Sequence, residues 1–159
     1  VTATGFDAIT GAMTRIDIEG IGGRKLTDKW ADGPTAWLGL VVAGFPNLLM
    51  IHGPLTPGAQ AQMLMVGEWQ VNFVADMIAS LERDGYARID TTEEAEEWWA
   101  EEVNMLSRNT LHQFADSWYN AKNIEGKKGG FMIYVGGFPR FARLNEEAVA
   151  DDFRGFVRS

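Results

Sequence analysis

Glutamates form the densest group of side chains that could move protons in this sequence: Glu93, Glu94, Glu96, Glu97, Glu101 and Glu102 crowd one short stretch. Carboxylates gathered like this can hold a metal or run acid–base catalysis. Their positions follow a plainer rule. Thr91 and Glu94 fit the capping-box pattern, and acidic residues in a first turn are favoured by the helix dipole. They read as the solvated face of a helix starting near Thr91, with Trp99, Val103, Leu106 and Thr110 on its other face. Neither His52 nor His112 has a zinc-type partner four residues on. No G-x-S-x-G occurs, and Ser117 has no base near it in sequence. The residues offer no nucleophile and no general base, so no catalytic residue and no metal site is assigned to this chain.

What remains is shape, and the stretch 43–81 carries most of it. Leu48 to Ile51 is a short apolar run bounded by turn residues, which reads as a strand buried on both faces. Gly53-Pro54 and Pro57-Gly58 then break regular structure twice. From about Gly58 the pattern takes a helical period through Val66, Trp69, Phe73, Met77 and Leu81. A strand, turn and helix in this order set a helix N-terminus at a strand tip, where free N–H groups can meet an anionic or carbonyl-bearing ligand. Thr14 to Glu19 alternates as a half-buried strand does, Leu26 to Trp30 reads as irregular, and Trp37 to Val42 and Phe131 to Val135 are further strand candidates. Residues 118–130 are rich in Asn, Lys and Gly and read as a loop. Trp118 stands out there, a large indole with no core to join. Met63 alone reads as core packing.

With 159 residues, 46% hydrophobic and 23% charged, the chain has the composition of one globular unit able to bury a core. A net charge of −8 argues against nucleic acid and anionic membranes as partners. No apolar run approaches the roughly 18–20 residues that a membrane helix needs. The absence of cysteine excludes disulfides and thiolate metal sites and fits a cytoplasmic setting. Val1 opens straight into TATGFD without an initiator methionine, and the chain is therefore expected to be a piece of a longer protein.

Four segments, in order, carry a family resemblance: Ala3-Thr4-Gly5-Phe6-Asp7 with the following AITGAMTRIDIEG; Lys29-Trp30-Ala31-Asp32-Gly33-Pro34; Ala43-Gly44-Phe45-Pro46-Asn47 through Gly53-Pro54; and Ser117-Trp118-Tyr119 followed by Asn123-Ile124, Gly126-Lys127 and Tyr134-Val135-Gly136-Gly137. Together they resemble the C-terminal third of a Baeyer–Villiger monooxygenase of the phenylacetone and steroid subgroup. The resemblance implies an α/β fold, the C-terminal portion of a flavoprotein with two dinucleotide-binding domains and added helices, with residues 1–159 as a single unit of it. The two G-x-G-x-x-G fingerprints and the catalytic arginine of that family would lie in the N-terminal part of the enzyme, outside this chain. It implies FAD and NADP(H) as cofactors, and O2 and a small ketone as substrates, with one oxygen atom inserted next to the carbonyl to give an ester or lactone.

Residue by residue, the resemblance implies that Met63 and Gln62 contact FAD, that Gly58, Ala59 and Gln60 line the substrate pocket, and that Trp118 closes over NADP. Lys127 matches a nucleotide contact, and Thr4 and Gly5 match a strand end approaching the bound nucleotides. Gln60 departs from the leucine usual there, Ala121-Lys122 replaces Gly-Ala, and Glu125 replaces a proline. Two other readings stand beside this one: a stand-alone α+β interaction module, and a flavoprotein that oxidises nitrogen or sulfur.

Overall fold

In a computed structural model, residues 7–58, 61–114, 117–120 and 130–159 are described. The described residues form five α-helices, three short 3-10 turns and one small sheet. The helices are α1 (Gly11–Thr14), α2 (Leu26–Lys29), α3 (Met63–Asp84), α4 (Glu93–Ser107) and α5 (Phe138–Ala150). Strands β1 (Ile89–Thr91) and β2 (Phe156–Arg158) pair antiparallel, with Ile89 opposite Arg158 and Thr91 opposite Phe156.

The long helix α3 forms where its period places it. Val66, Met77 and Leu81 are buried, and Trp69 and Phe73 pack on the main core. It starts at Met63 rather than Gly58 because Gln62 is left-handed (φ 50°). It stops at Gly85, whose φ of 79° lets its N–H return to Glu82 O. Helix α4 is capped by Thr92, not Thr91: the Thr92 hydroxyl accepts from Ala95 N–H at 3.2 Å. Thr91 lies in β1 and donates to Gly155 O at 2.5 Å. Helix α5 begins with Pro139 in its first turn and buries Phe141, Asn145 and Ala148.

Four expected segments are not regular strands. Leu48 to Ile51 runs between two left-handed corners, Asn47 (φ 63°) and His52 (φ 55°), and Met50 N–H goes to Leu40 O rather than to a ladder. Trp37 to Val42 is among the most buried apolar runs described, yet Leu38 and Gly39 both have positive φ and Trp37 N–H closes a tight turn onto Val41 O. Apolarity there reports the core, not strand geometry. In place of the Thr14–Glu19 strand, Asp7 accepts from Thr10 N–H at 3.1 Å and nucleates the short α1, and only Glu19 bridges, to Lys25. Leu26 to Lys29, expected to be irregular, is α2. Of Phe131 to Val135, Tyr134 alone bridges, in parallel, to Pro57.

The main core gathers Trp37, Leu40, Leu55, Trp99, Tyr134 and Phe141, among others. A second cluster joins α2 to the 36–50 segment through Leu26, Trp30, Val42 and Met50. A third closes the far end of α3 with Met77, Leu81, Ile89 and Phe153.

Candidate functional site: the 53–63 turn and the Trp118 turn

The Gly/Pro segment folds as a tight turn in which several backbone groups find partners nearby. Thr56 Oγ1 donates to Gly53 O at 2.7 Å, and Ala61 N–H returns to Gly58 O at 2.9 Å. Leu55 sits at φ 68°, a region that a branched side chain rarely adopts without support. The support comes from three directions. Leu55 N–H donates to Met132 O at 2.9 Å, Leu55 O accepts from Trp99 Nε1 at 3.2 Å, and Thr56 O accepts from Tyr134 N–H at 2.9 Å. Gly58 is buried against Ile133, and a Cβ there would lie 2.7 Å from Ile133 Cγ2. Only glycine lets the two segments approach this closely.

The segment holding the turn also holds the tryptophan. Met132 N–H donates to Tyr119 O at 2.8 Å, and Gly130 N–H to Asn120 O at 3.3 Å. Trp118 to Asn120 is a single 3-10 turn, fixed by Ser117 N–H to Asn120 Oδ1 at 3.3 Å. Trp118 is 40% exposed and leans on Tyr119, ring centroids 4.2 Å apart. Among the described residues it joins none of the three buried clusters. Residues 130–134 therefore join the Gly/Pro turn to the Trp118 turn by direct hydrogen bonds.

Beyond the turn, Gln62 leads into α3 without offering a side-chain cap. Met63 is 40% exposed and Leu64 83%, so an apolar surface lies at the helix start. His52 buttresses this end. Its N–H donates to the buried Gln70 Oε1 at 2.9 Å, and its ring Nδ1 is buried without a hydrogen-bond partner among the described residues. Burial holds the imidazole below its ordinary pKa, the nearby Met63 backbone opposing in part. Gly67 lies against the same ring, where a Cβ would be 2.7 Å from Nε2.

Gly58, Gln62, Met63 and Trp118 are thus linked through one continuous stretch of structure. Thr4, Gly5, Ala59, Gln60 and Lys127 lie outside the described residues. The expectation that the α4 glutamates are all solvated is corrected. Glu96 is 2% exposed, 2.7 Å from Lys29 Nζ and accepting from Ala43 N–H at 2.9 Å. Glu102 is 9% exposed and paired with Arg140, which donates to Tyr134 Oη at 3.1 Å. Burial pushes the Tyr134 phenol up. The signal was present in the spacing. Glu96 and Glu102 stand three residues either side of Trp99, on the apolar stripe of α4.

No protein-family model matches the chain. Individual proteins do. It is 38% identical to the acetone monooxygenase (methyl acetate-forming) of Gordonia sp. strain TY-5, over all of this chain and 30% of that protein. It is 32% identical to a Baeyer–Villiger monooxygenase of Pseudooceanicola batsensis, over 99% of this chain and 29% of that protein. Among solved structures, the cyclohexanone monooxygenase of Rhodococcus sp. Phi1 bound to NADP+ superposes with a TM-score of 0.93 at 36% identity, covering 98% of this chain and 29% of that one. The fold is that of a portion of the Baeyer–Villiger monooxygenases. The chain spans about 30% of the length of the relatives it matches. The irregular, helix-rich architecture is therefore the Baeyer–Villiger one for this portion, and the small antiparallel sheet belongs to it.

Proposed function

We propose that this chain supplies a wall of the ketone pocket and the nucleotide lid of an FAD- and NADPH-dependent Baeyer–Villiger monooxygenase, acting in the cytoplasm with the rest of the enzyme to convert a small ketone and O2 into an ester or lactone. The observation that carries the reading is the full-length likeness of this chain to an acetone monooxygenase and to an NADP-bound cyclohexanone monooxygenase, at 36–38% identity. The residues present suit the cofactors. An exposed methionine at an uncapped helix start gives a soft apolar surface for a planar ring, beside N–H groups that can meet its acceptors. An exposed indole on a hydrogen-bonded turn gives a flat cover with one donor. Bound FAD, reduced by NADPH, would supply the oxygen-activating chemistry.

In this reading Met63 and Gln62 pack against FAD. Gly58, with Ala59 and Gln60 following it, borders the ketone, and the rigid turn keeps that border in place. Trp118 covers NADP and excludes water, with Lys127, Thr4 and Gly5 approaching the nucleotides. None of these residues transfers a proton; they bind, orient and shield. The test is a flavin spectrum of the full-length protein together with ketone-dependent NADPH oxidation and identification of the product. Flavin-loaded protein that forms esters from small ketones is the expected result. Colourless protein, or flavoprotein that oxidises NADPH without any ester, sinks the reading.

A further inference from the structure

Behind the pocket turn lies a polar assembly that the roles above do not use. Trp99 and Tyr134 stack almost parallel, ring centroids 5.1 Å apart and planes at 8°. Each residue holds one carbonyl of the turn: Trp99 through its indole N–H on Leu55 O at 3.2 Å, and Tyr134 through its backbone N–H on Thr56 O at 2.9 Å. Farther back, Arg140 in the first turn of α5 donates to the Tyr134 hydroxyl at 3.1 Å and pairs with the buried Glu102 of α4. The chain of contacts runs from a carboxylate on one helix, through a guanidinium on another, to a ring stack, and from the stack to two adjacent peptide groups. The first of those groups belongs to a left-handed Leu55, a conformation that persists only when its surroundings over-determine it.

We propose that Glu102, Arg140 and Tyr134 are positioning residues for substrate choice. They fix the stack, and through it the Leu55 and Thr56 carbonyls, and so set where Gly58 stands. An arginine suits this task because its planar, permanently charged fork holds a carboxylate and a phenol oxygen in fixed directions. The hydroxyl is the one side-chain polar atom on the tyrosine ring, so it is the handle by which the charged pair orients the stack. The inference rests on the reading of the 53–58 turn as a ketone-pocket wall.

Two variants of the full-length, FAD-loaded enzyme test it. Tyr134→Phe removes the hydroxyl and keeps the stack. Glu102→Gln keeps the shape and releases the charge on Arg140. Hydrogen exchange of a peptide spanning residues 50–58 is expected to speed up by about fivefold or more in both, with the C-terminal half of α3 unchanged. The ratio of kcat/KM between acetone and an aryl ketone is expected to change by about threefold or more, at unchanged flavin content. Turn exchange within about twofold of wild type overturns the proposal even if the melting temperature falls, because the residues then serve stability alone. Faster exchange with an unchanged ratio overturns the claim on substrate choice. If the wild type oxidises no ketone, the pocket reading has failed, and the exchange measurement still decides whether these residues hold the turn. If Glu102→Gln does not fold, Tyr134→Phe carries both measurements.

Discussion

Replacing Glu96 by alanine will cost about 3–5 kcal/mol of folding stability, the range seen when one partner of a buried ion pair is removed. The carboxylate has three partners. Lys29 Nζ is 2.7 Å away on a side chain only 7% exposed, Ala43 N–H is at 2.9 Å, and the Thr35 hydroxyl at 3.2 Å. Without Glu96, the Ala43 amide loses its acceptor inside the protein, which costs roughly 1–3 kcal/mol. The Lys29 ammonium is left with Glu93 at 3.4 Å, a carboxylate that is 62% exposed and too well solvated to compensate. Urea unfolding followed by tryptophan fluorescence measures the loss, since Trp99 is fully buried one turn along the same helix. The Lys29→Met, Glu96→Ala double variant is expected to recover part of it, because no unpaired charge then remains buried. A loss below about 1 kcal/mol for Glu96→Ala, or a double variant no more stable than the single, would refute the reasoning.

Three further expectations rest on separate features. Gly67→Ala will destabilise by about 1–3 kcal/mol through contact with the His52 ring, yet in a His52→Ala background the same change will stabilise by up to about 1 kcal/mol through helix propensity; equal effects in both backgrounds would show that the ring is not what requires glycine. Because burial lowers the His52 pKa, the unfolded chain takes up a proton near its ordinary value of about 6.5 while the folded chain does not. Stability is then complete above that pH and falls as pH drops through it until the folded pKa is reached, at no more than about 1.4 kcal/mol per pH unit from this group; His52→Gln should flatten a melting-temperature profile between about pH 7.5 and 5, and an unchanged slope would clear His52. Trp118→Ala in the full enzyme should weaken NADP retention about tenfold, or about 1.4 kcal/mol, and release hydrogen peroxide in place of ester, with FAD retained; loss of FAD instead would make Trp118 a packing anchor.

The periodic parts of the fold were legible. The stripe from Val66 to Leu81 placed α3, and the threonine–glutamate spacing placed α4 to within one residue of its cap. The irregular parts were not, and for one reason. Leu38, Asn47, His52 and Leu55 take left-handed backbones although none is glycine. Asn47, His52 and Leu55 are held there by hydrogen bonds from residues far along the chain, and Leu38 by the turn that Trp37 N–H closes on Val41 O, none of which local propensity encodes. Apolar runs such as Trp37 to Val42 therefore looked like strands when they were core-filling turns. At the candidate site, residue types marked Trp118, and the family register marked Met63 and Gly58. The polar support behind them stayed hidden because six glutamates in a row of helical turns look alike until the partners, Lys29 and Arg140, are known.

The sheet has a consequence for how the protein is made. Strand β1 spans residues 89–91 and its only strand partner among the described residues spans 156–158. During synthesis β1 emerges well before β2, so its edge must wait, unpaired, while α4 and α5 are produced. The third cluster waits as well, since Phe153 completes the pocket around Met77, Leu81 and Ile89. The far end of α3 is thus locked only when residues 153–158 arrive, a long-range closure that slows folding. Nascent chains halted before Phe153 should present this half-built edge to chaperones, whereas chains carried past Arg158 should not.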